Sequence, residues 1–326
     1  MRAYARAPGK VILFGEHAVV YGRPALAAAL ELLAEAHAEE APEGVVEVSC
    51  PDLCVSGVYV GDDYRPVEGG LEGRRVVEPI AASVRHALGL RDLRSGVRVE
   101  VKSSIPPSSG LGSSAAVSVA AVAAASEALG LGLDEEEVCE CAYAGERVVH
   151  GSPSGIDNTV STYGGILLFR AGSFRRVEAG AGLNIVLGDT GVRRGTGEMV
   201  AGVRELRSRM PRVVESLMDS ISAVVSRAVE ALERGDLREV GELMTMNHSL
   251  LKALGVSSPE LDRLVEASVK AGALGAKLTG AGGGGCMVAL VEEDGVEEVY
   301  EAIRRAGGRP FRTSIRMRGY EAGRLL

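Results

Sequence analysis

Residues 105–116 read I-P-P-S-S-G-L-G-S-S-A-A, two prolines, two glycines and four serines in a dozen positions. Before them, Val97-Arg98-Val99-Glu100-Val101 alternates strictly, which predicts a half-exposed strand. After them, an alanine-rich run from about 114 to 129 predicts a helix that is apolar nearly all round and therefore buried. The first turn of such a helix leaves backbone N–H groups without partners at the positive end of the macrodipole. Gly110 and Gly112 carry no Cβ, so the chain ahead of that turn can aim its amides at a ligand at close range. Strand, glycine-serine loop and helix together make a cradle for an anion such as phosphate. A plain loop with a serine N-cap has the same composition, so the rest of the chain must choose between them.

Two further glycine-rich stretches lie toward the ends. A-R-A-P-G-K-V-I-L-F-G-E-H-A-V-V-Y-G (5–22) has a turn signal at Pro8-Gly9, a short apolar run, and Gly15 ahead of the polar pair Glu16 and His17. A-K-L-T-G-A-G-G-G-G-C-M-V-A-L (276–290) holds four consecutive glycines, whose entropic cost calls for close approach of backbone to backbone or to a ligand. Only Lys10, Lys102, Lys252, Lys270 and Lys277 are lysines among 36 basic residues, and two of them fall in these stretches. A compact ammonium suits such places better than a guanidinium fork.

Between the loops, a helix over 134–150 has the capping-box pair Asp134 and Glu137 and carries Glu146. It runs into G-S-P-S-G-I-D-N (151–158), a turn-rich loop containing Asp157. Residues 23–40 have a helical preference with a strand left open, 45–60 suggest strands, 61–73 a loop and 79–88 a helix. Beyond a lean stretch between 169 and 184, a strand over 184–188 leads into D-T-G-V-R-R-G-T (189–196). Helices are expected over 211–234, 237–254, 259–271 and 296–306, with a last strand near 310–317.

A length of 326 residues favours two domains. A net charge of −8 argues against a nucleic-acid or acidic-membrane partner, which would need a basic face. No apolar run reaches the ~18 residues of a membrane helix and the start lacks a signal-peptide core, so a cytoplasmic protein is expected. Five cysteines without a C-x-x-C pair and five scattered histidines suggest neither a disulfide framework nor a zinc site. Both G-x-G-x-x-G matches, at Gly110 and Gly280, lack the setting of a dinucleotide site, since the strand before the first alternates with two prolines intervening and the second is followed by a strand, and no Walker motif occurs. What remains is the equipment of phosphoryl transfer: an anion cradle, hydroxyls at Ser113 and Ser114, carboxylates at Glu146 and Asp157, and Lys10.

The three loops, in this order, resemble the three signature motifs of the GHMP kinases, the superfamily of galactokinase, homoserine kinase, mevalonate kinase and phosphomevalonate kinase. Galactokinases follow G-E-H with T-D-Y, where this chain has Ala18-Val19-Val20. Phosphomevalonate kinases tend to read G-E-Y, and homoserine kinases lack the element. The segments S-G-I-D-N-T-V-S-T-Y-G-G (154–165) and 189–196 resemble the mevalonate kinase branch, archaeal in type, with Gly195 a departure where many relatives carry Asn.

The resemblance implies an α+β fold of two domains, 1–175 resembling ribosomal protein S5 and 176–326 ferredoxin-like, with the active site in the cleft between them. It implies ATP phosphates held by Pro107, Ser108, Ser109, Gly110, Leu111, Gly112, Ser113 and Ser114, and Mg²⁺ held by Ser114 and Glu146. Asp157 and Lys10 become the catalytic pair. Glu16, His17, Arg194 and Thr196 become substrate contacts, with Gly280, Gly282 and Gly283 lining the site. Mevalonate and ATP are the expected small-molecule partners, and a homodimer is compatible. Another hydroxyl acceptor, or a ligand sensor without catalysis, remains open at this point, since fold does not fix function.

Overall fold

The computed structural model describes residues 1–106, 109–151, 154–170 and 173–325. Strand β1 (Arg2–Phe14) begins with alternation, Ala3, Ala5 and Ala7 inward, then is buried throughout from Pro8. The turn expected at Pro8-Gly9 is instead a register shift between Pro8 and Lys10. A bulge accepts a proline, whose missing N–H would otherwise break the ladder.

Strand β2 (Ala25–Ala41) settles the question left open for 23–40. Its residues 25–30 are all buried, and it pairs with β1 on one side and with two later strands on the other, so sheet packing overrides a helical preference. After β3 (Val45–Cys50) and β4 (Val55–Val60), the loop expected over 61–73 contains β5 (Asp63–Glu68), paired antiparallel with β4. Its charged, exposed residues conceal the strand from a hydrophobicity pattern.

Helix α1 (Arg74–Gly89), β6 (Gly96–Ser103), α2 (Ser113–Leu129), α3 (Glu135–His150), α4 (Ile156–Tyr163), β7 (Ile166–Arg170) and β8 (Ser173–Val177) complete this half. Then come β9 (Asn184–Asp189), α5 (Thr196–Arg209), α6 (Pro211–Arg234), α7 (Leu237–Ala253), α8 (Pro259–Lys270), β10 (Gly275–Leu278), β11 (Cys286–Val291), α9 (Val296–Arg305), β12 (Arg309–Ser314) and β13 (Glu321–Arg324).

The first sheet has the order β13-β1-β2-β6-β3-β4-β5, with β7 on β2 and β8 on β7; the second has the order β10-β11-β9-β12. The two ends of the chain meet in the first sheet, because the last strand, β13, pairs with β1. Helix α2 packs on β1 and β2. Its alanines let it approach closely and are buried on every side, as the sequence predicts. One apolar cluster runs from Val11, Phe14 and Leu111 of the first half to Leu187, Leu251 and Val288 of the second. Among the described residues no helix is long and apolar enough to cross a membrane.

Helix α7 meets β10 backbone to backbone. A Cβ on Gly275 would stand 1.8 Å from the Gly241 carbonyl oxygen, with no flexible side chain to yield. Gly275→Ala should therefore cost about 1–3 kcal/mol of stability by overpacking, read as a lower urea midpoint with an unchanged slope.

Candidate active site

The loop before α2 is shaped by two left-handed glycines, Gly110 at φ 79° and Gly112 at φ 73°. Gly112 is the N-cap of α2 and no side chain caps the first turn, so those amides are left for a ligand. Strand β1 holds the loop from behind. The Lys10 amide donates to Leu111 O (2.8 Å) and the Lys10 ammonium to Gly110 O (3.0 Å). A Cβ on Gly112 would lie 2.9 Å from Lys10 Cγ, so glycine is what lets the lysine stem pass. Ser109 is buried and donates to Pro106 O (2.6 Å), while Ser113 and Ser114 are half-buried in the first turn of α2. Pro107 and Ser108 lie outside the described residues.

Asp157, expected in a loop, sits in the first turn of α4, whose N-cap is Gly155 at φ 75°. A carboxylate is favoured there by the helix dipole, and Lys10 Nζ lies 3.1 Å from its Oδ1. Glu146, on α3, is 4% exposed, and its Oε2 is buried without a hydrogen-bond partner among the described residues. Burial, then the charge of Asp157, pushes its carboxyl from the ordinary 4.5 up to about 8, against the pull of Lys10. The glycine-serine loop, Lys10 and the two carboxylates therefore form one group, drawn from β1, α2, α3 and α4.

The glycine tract closes this group from the second half. A Cβ on Gly280 would stand 3.6 Å from Gly110 O, and one on Gly285 3.2 Å from Ser109 O, so the two loops touch through backbone. Gly282 has no room beside Val256 O, and the Gly283 amide donates to that same oxygen (2.8 Å).

Behind the tract, Thr279 Oγ1 bonds both the N–H and the C=O of Ile12 (3.0 Å each). Lys277, wholly buried, pairs with Glu16, 1% exposed, and also donates to Leu278 O (2.6 Å). The other Glu16 oxygen accepts from Asn247 Nδ2 (3.1 Å). Glu16 is thus enclosed by protein groups from α7 and β10. Its neighbour His17 is held at φ 61° with Nε2 donating to Ala281 O (2.8 Å); burial lowers its pKa and keeps the ring neutral. Lys277, Thr279 and Asn247 were not singled out as site residues from the sequence; the scarcity of lysine was the one signal pointing at the first.

The adjacent arginines of 189–196 part ways. Arg193 is gripped by Asp189 through both oxygens (2.6 and 2.7 Å). Arg194 is exposed, has no side-chain hydrogen bond or ion pair among the described residues, and lies against Gly283. Thr196 is the exposed first residue of α5, whose N-cap Gly195 supplies no side-chain bond.

The family model described as GHMP kinases N terminal domain matches residues 75–165, and that described as GHMP kinases C terminal matches 228–309. The mevalonate kinase of Pyrococcus abyssi is 42% identical over 97% of this chain and 96% of its own. That of Thermococcus onnurineus is 42% identical over the whole of both. The chain belongs to the GHMP kinase family, on its mevalonate kinase branch. A crystal structure of L. major mevalonate kinase in complex with R-mevalonate is similar over 95% of each chain, with a TM-score of 0.82 and 33% identity. This GHMP kinase has the two-domain α+β fold of its family.

In this GHMP kinase the Glu16–Lys277 pair is sealed from water. Lys277→Met would leave a buried carboxylate without its cation, expected to cost about 3–5 kcal/mol. Adding Glu16→Gln should recover part of that loss, a coupling measurable by chemical denaturation of the single and double variants.

Proposed function

We propose that this chain transfers the γ-phosphoryl group of ATP to the C5 hydroxyl of (R)-mevalonate, giving 5-phosphomevalonate. One observation carries the reading: Lys10 and Asp157 pair at 3.1 Å beside the uncapped N-terminus of α2, in a chain 42% identical to mevalonate kinases. The loop and α2 amides take the phosphates. Asp157 accepts a hydrogen bond from the acceptor hydroxyl and orients its oxygen toward the γ-phosphorus. Lys10 supplies fixed positive charge where phosphate charge develops. In a loose transition state such positioning and charge contribute more than proton abstraction, so a weak base suffices.

The side chains also fit a hard divalent cation. Glu146 Oε2 is a buried carboxylate oxygen lacking a partner among the described residues, and Ser114 offers a hydroxyl at the head of α2. Mg²⁺ favours few protein oxygens with the rest from phosphates and water. Bound there by Ser114 and Glu146, it would neutralise phosphate charge. On the acceptor side, the Arg194 fork suits a carboxylate, Thr196 and His17 are the polar contacts, and Glu16 acts by fixing the backbone next to His17.

Purified protein with ATP and Mg²⁺ should release ADP with mevalonate and not with galactose, homoserine or phosphomevalonate. Binding without turnover would overturn the reading. Asp157→Asn should lower kcat by about 100-fold or more while MgATP still binds; a loss within about twofold would remove Asp157 from its role.

The raised pKa of Glu146 has a definite sign. Its contribution to stability is fully present below 4.5 and is lost as pH rises through about 8. Thermal melts of metal-free and nucleotide-free protein from pH 5 to 8 should show this decline, and Glu146→Gln should flatten it. Because a cation displaces that proton, the Mg²⁺ needed for half-maximal rate should fall over the same pH interval.

A further inference from the structure

Asp189 ends β9 and is 4% exposed. Such a carboxylate is costly to bury unless fully paired, and here it is paired several times. It takes both guanidinium nitrogens of Arg193 and the Gly191 N–H (3.0 Å). Burial alone would raise its pKa, but Arg193, that N–H and the charge of Arg309 hold it below the usual carboxylate range. The turn it closes is braced again by Thr190 Oγ1, which accepts from the Val192 N–H (3.2 Å) and donates to Gly285 O (2.9 Å). Gly285 N–H returns a bond to Val192 O (2.9 Å). Residues 189–193 are therefore a closed bracket docked on the tract that also touches the phosphate loop.

The consequence falls on the next residue. Arg193 and Arg194 are chemically identical and adjacent, and both would attract the same anion. A bidentate Arg–carboxylate grip fixes the plane and direction of the guanidinium. With Arg193 held by Asp189, Arg194 emerges from a braced turn beside Gly283, making no side-chain hydrogen bond or ion pair among the described residues. The Glu260 backbone N–H and, to a smaller extent, the Arg194 charge lower the pKa of the Glu260 carboxyl.

We propose that Asp189 is a positioning residue for acceptor recognition: by holding Arg193 in a bidentate pair it fixes the 190–195 turn so that Arg194 alone meets the carboxylate of the acceptor. This rests on the reading of Arg194 as the carboxylate contact.

The test compares mevalonate with the triol that has CH₂OH in place of its carboxylate, under saturating MgATP. In the parent protein, Arg194→Met should raise the KM for mevalonate at least tenfold and leave that for the triol within twofold. Asp189→Asn, which keeps the shape but loses the charge-assisted grip, should do the same in weaker form, about fivefold or more. ATP KM should stay within twofold in both. Arg193→Lys should fall between parent and Asp189→Asn, since it keeps the charge without the fork. If Arg194→Met leaves mevalonate KM unchanged, the carboxylate reading of Arg194 fails, and the inference with it. If Arg194→Met behaves as expected while Asp189→Asn leaves mevalonate KM unchanged, or shifts mevalonate, triol and ATP alike, the positioning role alone is overturned. Asp189→Glu, which restores the charge, should recover part of the lost affinity if Asp189→Asn proves poorly folded, and no recovery would count against the role.

Discussion

The pairing of Lys277 with Glu16 is the constraint around which the rest is arranged. Both groups lie in the interior between the two sheets, Lys277 on β10 and Glu16 just past the end of β1. Removing two ions from water costs several kcal/mol each, and mutual attraction offsets that only when the remaining bonds are made. Here they are made by Asn247, Leu278 O and, next door, by Thr279 gripping Ile12 at both its N–H and its C=O. A buried pair of this kind is weak evidence for stability but a strong restraint on register. Lys10 lies six residues before Glu16, and the glycine tract begins three residues after Lys277. One internal contact thus ties the segment that carries Lys10 to the segment that carries the glycine tract.

The same economy governs charge at the reacting end. Among the described residues, Lys10, Asp157 and Glu146 act on one another, with the Lys10 ammonium paired directly to Asp157. Asp157 takes the direct contact and the helix N-terminus. Glu146, deeper and without a partner for Oε2, bears the cost of the imbalance as a pKa pushed to about 8. In the proposed reading, Mg²⁺ held by Glu146 would offset that imbalance.

What could be read from the chain followed from how each part is built. The glycine-serine loop before α2 stands out in the sequence because backbone-made anion cradles demand such residues at fixed spacing before a helix, and Lys10, Glu146 and Asp157 were expected beside it. The structure gathers those described into one group. The capping box at Asp134 and Glu137 was legible for the same local reason. Elements whose cause is distant were not. Residues 25–41 prefer helix by themselves and become strand through β1, β6 and β7. Strand β5 hides behind exposed charge, α5 buries only a narrow stripe of Met199, Val203 and Leu206 after an arginine-glycine turn, and β13 pairs with the far end of the chain. Glu16 stands beside His17 in a motif, and no local pattern reveals that Lys277 and Asn247 enclose it.

That division has a physical root. An anion cradle is made largely of main-chain amides, and the conformations it needs are written in glycine positions. The acceptor is chosen by single side chains, and their availability depends on what else claims them. Arg193 and Arg194 are the same letter twice, yet one is bound to Asp189 and the other, beside Gly283, makes no ion pair among the described residues. A sequence records which groups a site possesses. Only folding decides which of them are left uncommitted, and it is those that recognise a substrate.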